Sequence, residues 1–308
     1  MPRSPLGRTL LIANPTAHSG AGSQAADFAE SFLSGYGSAT RGFEVRRTQA
    51  AGDATKMAAG AAGFDTVVAL GGDGVIHEVV GGLMRIPGEA RPQLGIVPIG
   101  TGNDYARTLG MARNDPERAL AQLVRGRVQP TDLGEVNGIP FMETLSFGLD
   151  AAIALDTTDR RSAGTSMEGE GLFLSSGVRI MSQARRGWSW HGTIDGRTVG
   201  SSCSVVFAIQ VGPTYGGGFR VCPKASPTDG HLDVCYNTAL PAVPRVLGIF
   251  SLARFGLHTS SRVLQFATMR EATLDFEEEP PAQADGERVT GAHFEVRVLP
   301  AALRVLVP

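Results

Sequence analysis

The stretch VVALGGDGVIHEVV, residues 67–80, decides how this chain is read. It continues an apolar run over 65–70, and such a run bounded by turn residues is a buried strand. Val75, Ile76, Val79, Val80, Leu83 and Met84 then recur at helical spacing. Gly71, Gly72, Asp73 and Gly74 stand between the two patterns, at the carboxyl end of a strand and the amino end of a helix. Three glycines beside one carboxylate make poor core. They let a ligand approach the backbone closely, and free amides with the helix dipole favour an anion there. Asp73 repels a phosphate unless Mg2+ lies between them. The alternative is a plain tight turn with Asp73 as a helix N-cap.

Working outward, residues 9–13, 43–48 and 94–99 also read as buried strands, with helical patterns at 22–34, 53–62, 75–85, 103–109 and 116–125. Alternation of this kind predicts a parallel sheet covered on both faces, a Rossmann-like α/β nucleotide-binding domain. After about residue 134 the pattern changes. Strands are expected at 139–147, 190–195, 203–211, 231–237, 262–268, 271–276, 293–299 and 302–307, with helices only near 171–184 and 242–256. That predicts an antiparallel β-sandwich domain. The expected division is 1–134 and 135–308, with the last strand free to return to the first domain. Residues 156–170 are polar and Gly/Ser-rich and read as a mobile loop.

Two further junctions repeat the logic of the first. LGIVPIGTGNDYARTLG, residues 94–110, runs from a strand through Gly100, Thr101 and Gly102 into Asn103 and Asp104, either of which caps the next helix in the plain reading. In LLIANPTAHSGAGSQAADF, residues 10–28, Asn14 and Pro15 follow the first strand. Gly20-x-Gly22-x-x-Ala25 there imitates a dinucleotide fingerprint but lies too far from the strand end. A loop with Asn14, Thr16 and Ser19 as donors suits a nucleotide better, and Thr48 ends the second strand on the same side. Ligands of α/β sheets bind at such strand ends.

Bulk properties narrow the field. The 308 residues are 42% hydrophobic with net charge −2, which gives nucleic-acid binding no support. Lys56 and Lys224 are the only lysines, so a phosphate site must use arginine or backbone amides. Three cysteines, Cys203, Cys222 and Cys235, fit neither a zinc pattern nor a disulfide framework and read as reduced thiols of a cytoplasmic protein. No run of 18 apolar residues occurs, so any lipid is reached from the water side. GxxxxGK[ST], HRD, DFG and GxSxG are absent.

NPT at 14–16, GGDG followed by a helix with His-Glu, GTGNDYAR at 100–107 and PTDGHLDV at 227–234 together resemble the diacylglycerol kinase catalytic family, over nearly the whole chain. The resemblance implies a nucleotide-binding domain, a β-sandwich domain with a cleft between them, and transfer of the γ-phosphate of ATP to a lipid hydroxyl. Carried over by motif, the nucleotide contacts are Asn14, Pro15, Thr16, Thr48, Gly71, Gly72, Asp73, Gly74 and Thr101. Asp104 joins a Mg2+ water network. A structural Mg2+ is implied on Asp229 with the carbonyls of Ser226 and His231. The implied base is Glu287 of the triplet Asp285-Gly286-Glu287, with Asp285 on the same side if the segment is extended. The family's usual Thr after GGDG is Val75 here, and its usual Asn before the helix Glu is His77. The resemblance further implies a lipid partner at the inner membrane surface, and a homodimer is left open. An NAD-kinase-type enzyme and a catalytically silent nucleotide- or lipid-binding regulator are the rival readings. Arg185, Arg186, Trp188 and Trp190 form a basic aromatic cluster, read either as a membrane-docking edge or as tryptophans packed in the sandwich.

Overall fold

The computed structural model describes residues 5–36, 40–162, 171, 175–177, 179–180, 187–238 and 243–308. The chain divides into two compact units, Met1–Thr131 with Ala301–Pro308, and Asp132–Pro300.

In the first unit, β1 (Gly7–Ala13), β2 (Thr40–Arg47), β3 (Thr66–Gly71) and β4 (Gln93–Pro98) lie in the order β2-β1-β3-β4, all parallel. Every residue of β3 and β4 is buried, as expected of strands covered on both faces. Helices α1 (Ala21–Gly35), α2 (Asp53–Ala59), α3 (Asp73–Leu83), α4 (Asp104–Leu109) and α5 (Pro116–Arg125) follow the strands. Register aligns the carboxyl ends: Ala13 stands opposite both Arg47 and Leu70, and Gly71 opposite Pro98.

β5 (Arg127–Val136) leads into the second unit. There β6 (Ile139–Phe141), β7 (Thr144–Gly148), α6 (Leu149–Ser162), β8 (Trp188–Ile194), β9 (Arg197–Ser204), β10 (Val206–Gln210), β11 (Leu232–Asn237), α7 (Val243–Ala253), β12 (Leu264–Met269), β13 (Glu271–Phe276), β14 (Ala282–Ala284), β15 (Glu287–Val289) and β16 (His293–Val307) follow. One antiparallel sheet runs β12-β11-β10-β7-β14-β15. A second layer pairs β16, β13, β8 and β9, also antiparallel. Alternate residues of the strands meet in one core around Phe147, Trp190, Phe207, Phe276 and Phe294. Each fully buried side chain of this size contributes about 1.5–3 kcal/mol. The expected α/β domain and antiparallel sandwich are therefore both present.

Two readings need correction, and an open alternative is decided. Residues 156–162 are not loop but the last turns of α6, whose Arg160 reaches back towards Asp156 at 3.9 Å; residues 163–170 lie outside the described residues. Trp190 is 3% exposed and stacked among core phenylalanines, with Trp188 packed against the same cluster. These tryptophans fill the sandwich rather than face a bilayer, and Arg185 and Arg186 lie outside the described residues. Last, the strands expected at 293–299 and 302–307 are a single strand, β16, bent at Ala301 (φ 50°). Its first half pairs with β13, and Val305 pairs in parallel with Leu94 of β4.

Candidate active site

The aligned strand ends of the first unit carry the three sequence junctions on one edge of the sheet. The amide of Asn14 donates to Leu70 O at 2.9 Å and that of Thr48 to Ala13 O at 2.9 Å, so the loop after β1 starts beside the end of β3 and the loop after β2 beside the end of β1. Asn14 Oδ1 accepts from the amide of Thr16 at 2.9 Å and its hydroxyl at 2.8 Å, closing an Asx turn that fixes Asn14, Pro15 and Thr16.

The turns after β3 and β4 touch backbone to backbone. A Cβ on Gly100 would lie 2.6 Å from the Cα of Gly72 and 2.8 Å from Asn103 Oδ1, so Gly100 does not tolerate a side chain without movement, whereas a Cβ on Gly72 would stand 3.4 Å from the Cα of Gly100, at ordinary contact. Asp73 is the first residue of α3, whose N-cap position is Gly72. The Asp73 carboxylate reaches to α4, where the amides of Asp104 and Tyr105 donate to it at 3.2 and 3.4 Å. Asn103 occupies the N-cap position of α4 with φ 52° and makes no side-chain cap bond. Asp73 thus supplies the cap that sequence reasoning gave to Asn103 or Asp104. The Asp104 side chain is mostly buried, 3.5 Å from Arg107 Nε. Asn103 Nδ2 donates to Gly100 O at 2.8 Å and holds the turn closed. The result is a rigid pair of turns with amides at Gly72, Gly74 and Thr101 on a helix-terminus edge, suited to a polyphosphate.

Sequence reading missed Glu78, one helical turn beyond GGDG. Its carboxylate accepts from the amides of Gly52 at 2.9 Å and Ala54 at 3.1 Å, capping α2 from α3. A carboxylate three to five residues after a glycine turn is the signal that pointed to it, but its partners lie far off in sequence.

The second unit carries the remaining candidates in two places. The first is the hairpin of β14 and β15. Asp285 (φ 51°) and Gly286 (φ 94°) form its two-residue turn, both left-handed as a tight hairpin requires. The segment is therefore not extended, and Asp285 and Glu287 do not share a side by strand alternation. Instead Asp285 accepts from the amides of Met142 at 2.7 Å, Glu143 at 3.0 Å and Thr144 at 2.9 Å, which pins the hairpin to the bend between β6 and β7. Glu287 begins β15 with its side chain exposed. Beneath the turn, the amide of Gly286 donates to Gln283 Oε1 at 2.6 Å, and Gln283 Nε2 donates to Ser146 Oγ at 2.7 Å. Ser146 in turn hydrogen-bonds the carboxyl of Asp150, which burial raises to about 7 against the opposing pull of that hydroxyl. Gln283 and Asp150 were also missed by sequence reading.

The second place is the turn between Ser226 and Asp233. The His231 amide donates to Asp229 Oδ1 at 3.0 Å, and its ring Nδ1 lies 2.8 Å from Asp229 O. Asp132, buried midway along β5, accepts from the Gly230 amide at 2.7 Å while its own amide donates to Pro227 O at 2.7 Å, so it clamps this loop. Asp233 is raised to about 6, chiefly by burial and then by the Asp229 carboxylate, with His231 pulling the other way. Two carboxylates in repulsion with oxygen donors around them fit a hard divalent cation. Among the described residues no group of three or more His, Cys, Asp and Glu side chains forms a metal cage. A cation here therefore needs backbone carbonyls such as those of Ser226 and His231.

Comparison with known proteins decides the family. Residues 8–136 match the diacylglycerol kinase catalytic domain and residues 143–307 the YegS C-terminal NAD kinase beta sandwich-like domain. The chain is 32% identical over 270 residues to a Serratia proteamaculans protein named "Probable lipid kinase YegS-like", covering 86% of this chain and 84% of that one. The chain belongs to the diacylglycerol kinase catalytic family. As a member it is a phosphotransferase that acts on a hydroxyl group. A diacylglycerol kinase from Bacillus anthracis shares the fold at TM-score 0.74 and 20% identity, over 99% of this chain and 98% of that one. An NAD kinase from Archaeoglobus fulgidus, solved with ATP, shares it more distantly, at TM-score 0.51 and 14% identity over 97% and 92% of the two chains. In this kinase the glycine turns, the DGE hairpin and the PTDGH loop each have a defined local structure, and each is held by a buried or half-buried carboxylate or amide side chain: Asp73, Asp285 with Gln283, and Asp132.

Proposed function

We propose that this kinase is an ATP-dependent lipid kinase that transfers the γ-phosphate to the hydroxyl of a diacylglycerol-like lipid. The observation that carries the reading is the contact between Gly72 and Gly100, which brings two amide-bearing turns to one edge of a parallel sheet. Relatives named as lipid kinases support the acceptor class.

Phosphoryl transfer asks a protein for alignment and charge neutralisation. The amides of the turns at Gly72–Gly74 and Gly100–Gly102 bind the phosphates, and the loops at Asn14–Thr16 and Thr48 hold the nucleoside. Mg2+, when bound, supplies charge neutralisation at the phosphates. Asp73 and Asp104 are the carboxylates of the first unit suited to that cation, although Asp73 also caps α4 and Asp104 lies beside Arg107. Asp229 with the carbonyls of Ser226 and His231 would hold a second, structural cation. Glu287 takes the proton of the attacking hydroxyl, and Asp285 acts through the backbone as a positioning residue. Val75 in place of a hydroxyl removes one side-chain donor beside the phosphates and leaves the backbone amides to do the binding.

A labelled-ATP assay over diacylglycerol, phosphatidylglycerol, sphingosine and undecaprenol tests the reading. Acceptor-dependent product that is lost in Glu287→Ala supports it. No product with any lipid, alongside intact nucleotide binding, points instead to a silent binder.

A further inference from the structure

The end of α7 presents apolar side chains to solvent. Leu252 is 44% exposed, Phe255 69%, Leu257 60% and Phe266 36%. They form one patch. Leu252 and Phe255 are a helical turn apart, with the amide of Phe255 donating to Leu252 O at 3.0 Å. Gly256 (φ 71°) reverses the chain between Phe255 and Leu257, and Phe266 meets the ring of His258 at 5.6 Å. The inner side of α7 is already satisfied: Val246 and Ala253 pack in one cluster and Ile249 in another. An apolar helix face that remains outside the core of a water-soluble unit calls for an apolar environment beyond the chain.

Charge tells which environment. No Asp or Glu occurs between Asp233 and Glu271, while that span contains Arg245, Arg254, Arg262 and Arg270, in a protein of net charge −2. Arg262 is exposed just after the patch. Exposed Arg220 adjoins it too, its amide donating to Ala253 O at 2.9 Å. Exposed Lys224, one of the chain's two lysines, follows Pro223, which packs under Gly256. Phenylalanine and leucine at a bend, rimmed by arginine and lysine with no acid on the same segment, match the interface of an anionic bilayer. We infer that the tip of α7, centred on Phe255 and Leu257, is the surface by which this kinase docks on anionic phospholipid. The choice of a bilayer over a protein partner rests on the lipid-acceptor reading above.

The test is flotation of the full chain, without ATP, on vesicles of phosphatidylcholine alone and on vesicles containing one third phosphatidylglycerol. The wild type is expected to bind the anionic vesicles and to leave them as salt rises. Phe255→Ser with Leu257→Ser, and separately Arg220→Glu with Arg262→Glu, are expected to weaken that binding at least tenfold. Both variants alter exposed side chains, and an unchanged melting temperature verifies their fold. Turnover of dioctanoylglycerol, a short-chain acceptor supplied in solution, should be unchanged in both. Equal vesicle binding by wild type and variants overturns the inference. So does a wild type that ignores anionic vesicles but forms a dimer that the Phe255→Ser, Leu257→Ser variant dissolves. Failure of the lipid-kinase reading appears separately, as vesicle binding without acceptor-dependent product.

Discussion

Gly100 and Gly72 meet with no room between them: a Cβ on the first would stand 2.6 Å from the Cα of the second. Because the obstacle is backbone, the clash cannot be relieved by a rotamer change. Gly100→Ala is expected to destabilise the first unit by about 1–3 kcal/mol, the usual cost of overpacking. Nucleotide affinity should fall with it, because the two turns part. Thermal melting with and without ATP reads both effects; an unshifted melting temperature would refute the close contact.

Asp73 carries a structural duty that can be separated from a catalytic one. Asp73→Ala removes the acceptor for the Asp104 and Tyr105 amides and should cost about 1 kcal/mol, as lost caps do. Hydrogen exchange over 104–109 should quicken. Asp73→Asn keeps an acceptor oxygen and should retain most of the stability. If the charge also serves the phosphate-bound cation, Asn lowers turnover as far as Ala does, which a paired measurement of melting and rate resolves.

Gln283 is fully buried and spans the gap between the Gly286 amide and Ser146. Gln283→Leu leaves that amide without its acceptor, at a cost of about 1–3 kcal/mol. The turn that bears Glu287 loosens, so kcat should drop while KM for ATP holds. A variant whose KM for ATP rises instead, with kcat intact, would contradict this arrangement.

Asp150 gives a pH dependence of known sign. Its folded value is raised from 3.8 to about 7, so the folded state holds a proton that the unfolded chain has released. Its contribution is fully present below 3.8 and is lost as pH rises through about 7, on the order of 4 kcal/mol in all. Melting temperature should therefore decline from pH 5 to pH 8, and Asp150→Asn should flatten that decline. A slope identical in both proteins would show that Asp150 does not titrate in this window.

The alternation of buried strands and helices was legible because it is local: β3 and β4 follow from short apolar runs, and α3 and α5 from the 3.6 period, within single windows. So were the glycine turns, since glycine before a helix marks close approach wherever it stands. What stayed hidden depends on partners distant in sequence. Asp73 was legible as a cap but not as the cap of a helix thirty residues on. Asp132 carries no local mark, and Glu78 only its spacing from the glycine turn, since each binds amides from another part of the chain. The short strands β14 and β15 escaped because three residues hold no period. Trp190 left two readings open because tryptophan beside arginine reads alike at a bilayer and in a core; its neighbours Phe207 and Phe276 settle it for the core.

Strand β16 has a consequence for biosynthesis. Its segment Ala301–Val307 belongs to the first unit, where Arg91 hydrogen-bonds the carbonyl of Ala302 and Val305 pairs with Leu94. During translation the flank of β4 therefore stays open while the whole of Asp132–Pro300 is made. The ribosome must release residues 301–307 before the opening sheet can close, so the amino-terminal unit finishes maturing last, with an unpaired border exposed to other nascent chains until then.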